Sequence, residues 1–257
     1  MRIATWNING IRARLDYIAL WLEERQPDIV GFQELKAQDE AFPHGVFNEL
    51  GYTVQTHGQK SWNGVAVATK ESVEVTQKGL PGREENGARL ITAQVEDLSF
   101  TTVYCPNGKN VEHADYAMKL AWFDALNEYC QDQLSNYEQV VVCGDFNIVA
   151  QPLDSHLGRK GDGDIFHTES ERDRLSSLFK QGLHDIYRVK YPDSDAYSWW
   201  DYRAGAFQRN MGLRIDLILG TQAVFDRTRE VVIDRDYRKK KEGLTASDHT
   251  PVYIDID

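Results

Sequence analysis

Apolar and β-branched residues recur along the chain in short runs, separated in places by stretches of helical period. The runs predict strands over Arg2–Trp6, Ile29–Gln33, Tyr52–Thr56, Val65–Thr69, Leu90–Val95, Phe100–Tyr104, Gln139–Gly144, Ile215–Gly220, Thr228–Ile233 and Val252–Asp257. Helices are expected over Leu15–Gln26, Glu112–Leu134, Glu169–Gln181 and Ala223–Asp226; in the first of these Leu15, Ile18, Ala19 and Leu22 share one face. Many strands and few long helices imply two β-sheets packed face to face with helices outside, an α/β (α+β) sandwich. No solenoid repeat, low-complexity tract or Pro/Ser-rich linker breaks the pattern, so residues 1–257 read as a single domain.

Six of the apolar runs lead straight into polar residues of the kind that bind ligands: IATWN-IN, DIVGFQE, TTVYCPN, VVVCGDFN, RIDLIL and LTASDH. One such junction is ordinary for a surface loop. Six of them look like a single cleft along a common edge of the sheets, because functional residues favour loops held by a rigid scaffold. Four acids, Glu34, Asp145, Asp216 and Asp248, follow or interrupt apolar runs. An acid there is costly to bury unless it is paired or binds a cation. If the four converge, a hard divalent ion such as Mg²⁺ suits their oxygen atoms. If they do not, each is a strand-end residue making local hydrogen bonds. No HExxH or Cys/His cluster indicates zinc.

Asp145 and Asn147 face one side if their segment stays extended, where together they could hold a water and take its proton. The competing reading is an Asx-type turn. In Ser247-Asp248-His249, neighbouring residues of an extended chain point apart. Asp248 is therefore a poor orienter for His249, and Asp216 on another strand is the better candidate. His249 could serve as an acid or as a donor to a phosphoryl oxygen. Neither G-x-S-x-G nor a P-loop occurs, which disfavours serine hydrolases and nucleoside-triphosphate enzymes.

Composition adjusts this picture only in places. Hydrophobic residues make up 41% and charged residues 27% of 257, enough to build a core without disulfides. Cys105, Cys130 and Cys143 form no CxxC pair and read as reduced thiols. No secretory leader and no run near the roughly 18 apolar residues of a membrane span is legible, so the expectation is a cytoplasmic protein that meets no membrane. The net charge of −11 pulls against a nucleic-acid partner, yet a site is local while net charge is global.

Eight segments in order carry a resemblance: WNINGIRA (Trp6–Ala13), FQELK (Phe32–Lys36), WNGVAV (Trp62–Val67), YCPNGK (Tyr104–Lys109), GDFN (Gly144–Asn147), SWWDYR (Ser198–Arg203), NMGLRID (Asn210–Asp216) and SDH (Ser247–His249). Nearly end to end, the chain resembles the bacterial type of the exonuclease III family of abasic-site endonucleases, within the endonuclease/exonuclease/phosphatase superfamily. The resemblance implies a four-layered, DNase I-like α/β sandwich and a Mg²⁺-dependent repair nuclease, with Mn²⁺ as a possible substitute. Its substrate would be duplex DNA bearing abasic sites or 3′ ends, and the protein would work as a monomer associated with the bacterial nucleoid. By the same resemblance Glu34 would hold the metal, with Asn9 and Asp248 beside it. Asn7 would steady Asp145 and the phosphate, Asp145 would prepare the attacking water next to Asn147, His249 oriented by Asp216 would bind a phosphate oxygen, and Tyr104 would serve the phosphate or the leaving oxygen.

The resemblance further implies DNA contacts at Arg12, Lys36, Asn107, Lys109, Arg203 and Arg209, and an apolar pocket for a base-free sugar at Trp199, Leu213 and Ile215. One of Trp199 and Trp200 is expected in the core. The run Arg238-Lys239-Lys240-Lys241 reads as a solvated loop more readily than as a phosphate-binding arm, and Gly158–Phe166 as a Gly-rich loop on the DNA side. Two other readings remain: a superfamily hydrolase acting on RNA or on a phospholipid or inositol phosphate, and a non-catalytic RNA-binding regulator of the same fold.

Overall fold

The computed structural model describes residues 1–257. In chain order its first half holds β1 (Arg2–Asn7), α1 (Ile11–Arg25), β2 (Ile29–Gln33), α2 (His44–Glu49), β3 (Thr53–His57), β4 (Val65–Thr69), β5 (Glu74–Lys78), β6 (Leu90–Val95) and β7 (Leu98–Tyr104). There follow α3 (Ala114–Asn136), β8 (Gln139–Asp145), α4 (Glu169–Lys180), β9 (His184–Asp185), α5 (Ile186–Lys190), β10 (Trp199–Trp200), β11 (Gly212–Leu213), β12 (Asp216–Gly220), α6 (Gln222–Arg227), β13 (Thr228–Ile233) and β14 (Val252–Ile256).

Two six-stranded sheets run β13-β14-β1-β2-β4-β3 and β5-β6-β7-β8-β12-β9, and β10 and β11 form a small ribbon. Ile3, Ile29, Val67 and Ile254 from the first sheet meet Ile91, Phe100, Val141 and Ile218 from the second in one buried layer. Side chains of this size stabilise by about 1.5–3 kcal/mol each when fully buried. The outer face of the first sheet is covered by α1 through Tyr17, Ile18, Trp21 and Leu22, packed on Trp6 and Phe32. On the second sheet, Trp122, Phe123 and Leu126 of α3 and Leu175 and Leu178 of α4 lie against Val140, Val142, Leu217 and Leu219. The result is helix, sheet, sheet, helix: the four-layered sandwich.

Each sheet has one parallel central pair, β1 with β2 and β7 with β8, and parallel neighbours need a crossover, here α1 and α3. Both pairs end in register, Asn7 beside Gln33 and Tyr104 beside Asp145, while antiparallel β12 brings Asp216 opposite Asp145. The six polar junctions therefore belong to two sheets whose strand ends lie together.

Several boundaries differ from expectation. α1 begins at Ile11 rather than Leu15, with a non-helical step at Arg14, because Ile11 is itself a buried anchor. β5 has no counterpart among the expected strands: it is an edge strand with little apolar signal, supported by hydrogen bonds to β6. The two-residue strands β9, β10 and β11 and the short helices α2 and α5 also escape pattern reading, since each depends on a tertiary partner.

Candidate active site

Where the parallel pairs end, the chain adopts backbone conformations that non-glycine residues rarely accept. Asn9 (φ 48°), Glu34 (φ 54°), Lys36 (φ 53°) and Asn147 (φ 51°) are all left-handed. Such conformations cost roughly 1–3 kcal/mol each and persist where the surroundings dictate them. Gly144 has φ 144°, and a Cβ there would lie 2.0 Å from the Val103 carbonyl oxygen, so the residue before Asp145 has to be glycine for β8 to stay against β7.

The Asn7 side chain ties the two sheets together at this edge. The Asn7 amide, fully buried, donates from Nδ2 to Glu34 Oε1 and to Asp145 Oδ2, both at 2.9 Å. Its Oδ1 accepts the Asn9 backbone N–H at 3.0 Å. Across from it, His249 Nε2 lies 3.7 Å from Asp145 Oδ2, and its Nδ1 faces Asp216 Oδ2 at 2.9 Å. Ser198 completes the row: its hydroxyl donates to Asp216 Oδ2 at 2.6 Å and accepts the backbone N–H groups of Ile215 and Asp216. Ser198 stands within the quoted SWWDYR motif, but nothing in the sequence marks it as the residue that holds Asp216.

Electrostatics follow from this crowding. Burial above all, then the Asp216 and Glu34 carboxylates, pushes the Asp145 carboxyl up to about 7, against the pull of His249 and the Asn7 amide. Burial opposes a proton on His249, but Asp216 and Asp145 outweigh it and push the imidazole up to about 10. Both shifts are upward, so the site retains protons, Asp145 because burial disfavours its charge and His249 because carboxylates surround it. Burial, Glu34 and Asp145 also hold the Tyr104 hydroxyl well above its usual range, which keeps it a proton donor. Asp248 differs. Burial works against its charge, yet His249, the Trp199 indole N–H and the Asn9 amide together keep it below the usual carboxylate range.

The donor set fits a hard cation. Ligand atoms of Glu34, Asp145 and His249 all lie within 4.8 Å of one another. The Lys36 ammonium already sits as a positive charge among the oxygens, 2.9 Å from Glu34 Oε2 and bonded to Asn9 Oδ1. Asn9 Nδ2 in turn donates to Asp248 Oδ1 at 2.9 Å, and Trp199 Nε1 to Asp248 Oδ2 at 3.0 Å. Glu34 thus stands in the tight group, while Asn9 and Asp248 hold each other beside it.

The pocket residues also come together. Leu213 and Ile215 are buried with Val149, and Trp199 and Phe166 pack on them half-buried. Trp199 meets the edge of His249 with ring centroids 6.5 Å apart. Trp200, pointing the other way, is fully buried with Tyr197 and Ala206, so it is the core member of the pair. Between Leu213 and Ile215, Arg214 turns into the interior and is held by Asp154 and Asp185, each at 2.7 Å. Val149 and Phe166 lie outside the expected pocket set, and Phe166 closes the segment that reads in sequence only as a Gly-rich loop.

Two sequence readings need correction. The segment after Asp145 is not extended: Asn147 N–H donates to Asp145 Oδ1 and its amide to the Cys105 carbonyl, both at 2.9 Å, which is the Asx-type turn. The Arg238–Lys241 run is not uniformly solvated, because Arg238 is buried and donates to the carbonyls of Trp200 (3.0 Å) and Asp248 (3.2 Å). The DNA-contact candidates also split. Arg12, Asn107 and Arg209 are exposed, Lys109 is paired with Asp115, and Arg203 is exposed and paired with Asp201, whereas Lys36 belongs to the acid cluster.

Comparison with known proteins places this geometry in context. The sequence profile of the Endonuclease/Exonuclease/phosphatase family matches residues 4–249. An exodeoxyribonuclease III from Haemophilus influenzae is 34% identical, with all of both chains aligned. Among solved structures, a 3′ phosphatase from Neisseria bound to a product DNA hairpin superposes with a TM-score of 0.96 at 34% identity, covering 100% of this chain and 99% of that one. An AP endonuclease from Archaeoglobus fulgidus superposes with a TM-score of 0.94 at 33% identity, covering 100% and 99%.

Proposed function

The chain belongs to the endonuclease/exonuclease/phosphatase family, and from that premise we propose that it is a DNA-repair nuclease. It hydrolyses the phosphodiester 5′ to an abasic site in duplex DNA, and it processes 3′ ends as a 3′→5′ exonuclease and 3′-phosphatase or phosphodiesterase. Mg²⁺ is its cofactor, with Mn²⁺ able to substitute. It acts as a monomer of one catalytic domain, residues 1–257, in the bacterial cytoplasm. The observation that carries the reading is the Asn7 amide joining Glu34 and Asp145, with the His249–Asp216 pair facing Asp145.

Glu34 would hold the metal, with Asn9 and Asp248 beside it, and the ion would supply charge stabilisation for phosphoryl and leaving oxygens. Asp145 accepts the proton of the attacking water, and its upward-shifted carboxyl is basic enough to do so near neutral pH. Oxygen attacks phosphorus, the bond to the 3′ oxygen breaks, and Tyr104 protonates that oxygen. Protonated His249 donates to a non-bridging phosphoryl oxygen, where a preorganised charged donor is most effective. Asn7 fixes Asp145 beside the phosphate, and Asn147 holds the turn beneath it. Arg12, Lys36, Asn107, Lys109, Arg203 and Arg209 position the duplex backbone without reading sequence. Trp199, Leu213 and Ile215 receive the base-free sugar, whose nucleotide is the cheapest to flip.

The test is cleavage of a duplex carrying one abasic analogue, beside an intact duplex and a 3′-phosphate end, with and without Mg²⁺. RNA and an inositol phosphate serve as alternative substrates. Metal-dependent turnover of the DNA substrates is expected. Turnover of RNA or inositol phosphate alone, or of none of them, overturns the proposal.

A further inference from the structure

Lys119 lies in the middle of α3 and is completely buried, as is its partner Glu171 on α4. A buried ammonium is costly unless fully bonded, and removing one partner of such a pair strands a charge. Its bonds run toward the site. Lys119 Nζ donates to the Asn147 carbonyl at 2.7 Å, to the Asn107 carbonyl at 3.2 Å and to Glu171 Oε1 at 2.5 Å. Glu171 in turn accepts the backbone N–H groups of Phe166 (3.1 Å) and Thr168 (3.0 Å). Phe166, itself left-handed at φ 72°, lays its ring 4.8 Å from the ammonium and packs on Leu213 and Ile215. The loop from Tyr104 to Lys109 also meets this lysine: a Cβ at Gly108 would lie 3.0 Å from Lys119 Cδ, and Gly108 has φ 86°.

Three loops at the rim thus share one ammonium: the turn after Asp145, the loop after Tyr104 and the segment ending at Phe166. None has a regular ladder to hold it. We propose that Lys119 is a positioning residue for the phosphodiester reaction, fixing the Asn147 turn against the Tyr104 loop and the Phe166 wall so that Asp145 and Tyr104 meet the phosphate in register. The inference rests on the nuclease reading above. It adds a residue that touches neither substrate nor metal, whose loss slows the chemical step more than it weakens binding.

The experiment compares Glu171→Gln with the double variant Lys119→Met/Glu171→Gln, which removes both charges and leaves no stranded ion. Single-turnover rates on an abasic-analogue duplex are measured with Mg²⁺, and DNA affinity is measured in EDTA. Glu171→Gln keeps the two lysine–carbonyl bonds and should cleave within about threefold of the unsubstituted protein. The double variant should lose on the order of tenfold or more in rate, with affinity within about threefold and a melting temperature no lower than that of Glu171→Gln, which leaves the ammonium without its carboxylate. If the double variant does not fold, Lys119→Gln, which keeps one donor, should give an intermediate rate at unchanged affinity. A folded double variant, or a Lys119→Gln variant, that cleaves at the normal rate overturns the inference, as does a loss confined to affinity or melting temperature. Inactivity of the unsubstituted protein on every DNA substrate would instead sink the nuclease reading itself.

Discussion

Replacing Asp216 by asparagine preserves the shape of β12 but removes the carboxylate that does most to keep His249 protonated. The introduced amide can still accept the Ser198 hydroxyl through its oxygen, leaving its NH₂ to face His249 Nδ1. The imidazole then loses a charged partner and becomes a neutral donor from Nε2. Hydrogen bonds to charged groups contribute about 1.5–3 kcal/mol against about 0.5–1.5 for neutral ones. A loss of roughly 1–2 kcal/mol at the phosphate follows, or on the order of 5- to 30-fold in single-turnover rate near pH 8. The defect also depends on pH. Unsubstituted His249, with its pKa pushed up to about 10, stays charged across pH 6–9, whereas the variant, without its largest raising charge, should give up its proton at lower pH. Asp145 also feels Asp216 and His249, so its limb moves between the two proteins and is fitted separately in each before the ratio is taken. The assay is cleavage of an abasic-analogue duplex from pH 6 to 9. The ratio of normal to variant rate should rise with pH and approach unity at the acid end; a ratio flat across the range would refute the orientation of charge argued for this pair.

Glu34→Ala should raise the Mg²⁺ concentration for half-maximal cleavage by at least the roughly 10- to 100-fold that even an outer partner of a metal costs, and an unchanged metal titration would remove its assignment. Trp199→Ala should impair abasic incision more than 3′-phosphate removal, whereas Trp200→Ala should cost about 3–5 kcal/mol of stability in denaturant melts and affect all substrates alike; the reverse pattern would exchange their roles. Asp145 and His249 both hold protons more tightly folded than unfolded, so the site's contribution to stability without metal should be largest at low pH. It should decline as pH rises through about 7 for Asp145 and about 10 for His249. Melting in EDTA against melting in Mg²⁺ tests this: the gain from metal should grow from pH 5 to about 7, because binding displaces the Asp145 proton while His249 keeps its own, and a gain that shrinks would count against the metal site.

Much of the architecture is legible in the sequence because its strands are buried on both faces. Val140–Cys143 is an unbroken apolar run that needs no partner to be recognised, and Ile29–Phe32 behaves likewise. β5 is not legible, since an edge strand owes its pairing to β6 rather than to its own side chains. At the site, residues that end apolar strands stand out by contrast with what precedes them: Asn7, Glu34, Tyr104 and Asp145 all do so. Ser198 and Lys119 stay hidden for a different reason. A serine before two tryptophans and a lysine inside an amphipathic helix are ordinary in sequence, and only the fold shows that one holds Asp216 and the other has no access to water. The turn at Asn147 is legible as the Asx-type alternative through Asp145, but the Cys105 carbonyl that anchors its amide lies 42 residues away, where no local rule reaches.

That the Asn7 amide of one sheet is bonded to Asp145 of the other, as the Gln33 amide is to Thr102, bears on how substrate gets in. The seam beneath that bridge is filled with close-packed Ile, Val and Phe, so prising the halves apart would break the amide's bonds and open voids together. The edge that carries the candidate site therefore behaves as a fixed die. If it takes duplex DNA as proposed, the sugar reaches it through distortion of the duplex rather than through parting of the sheets.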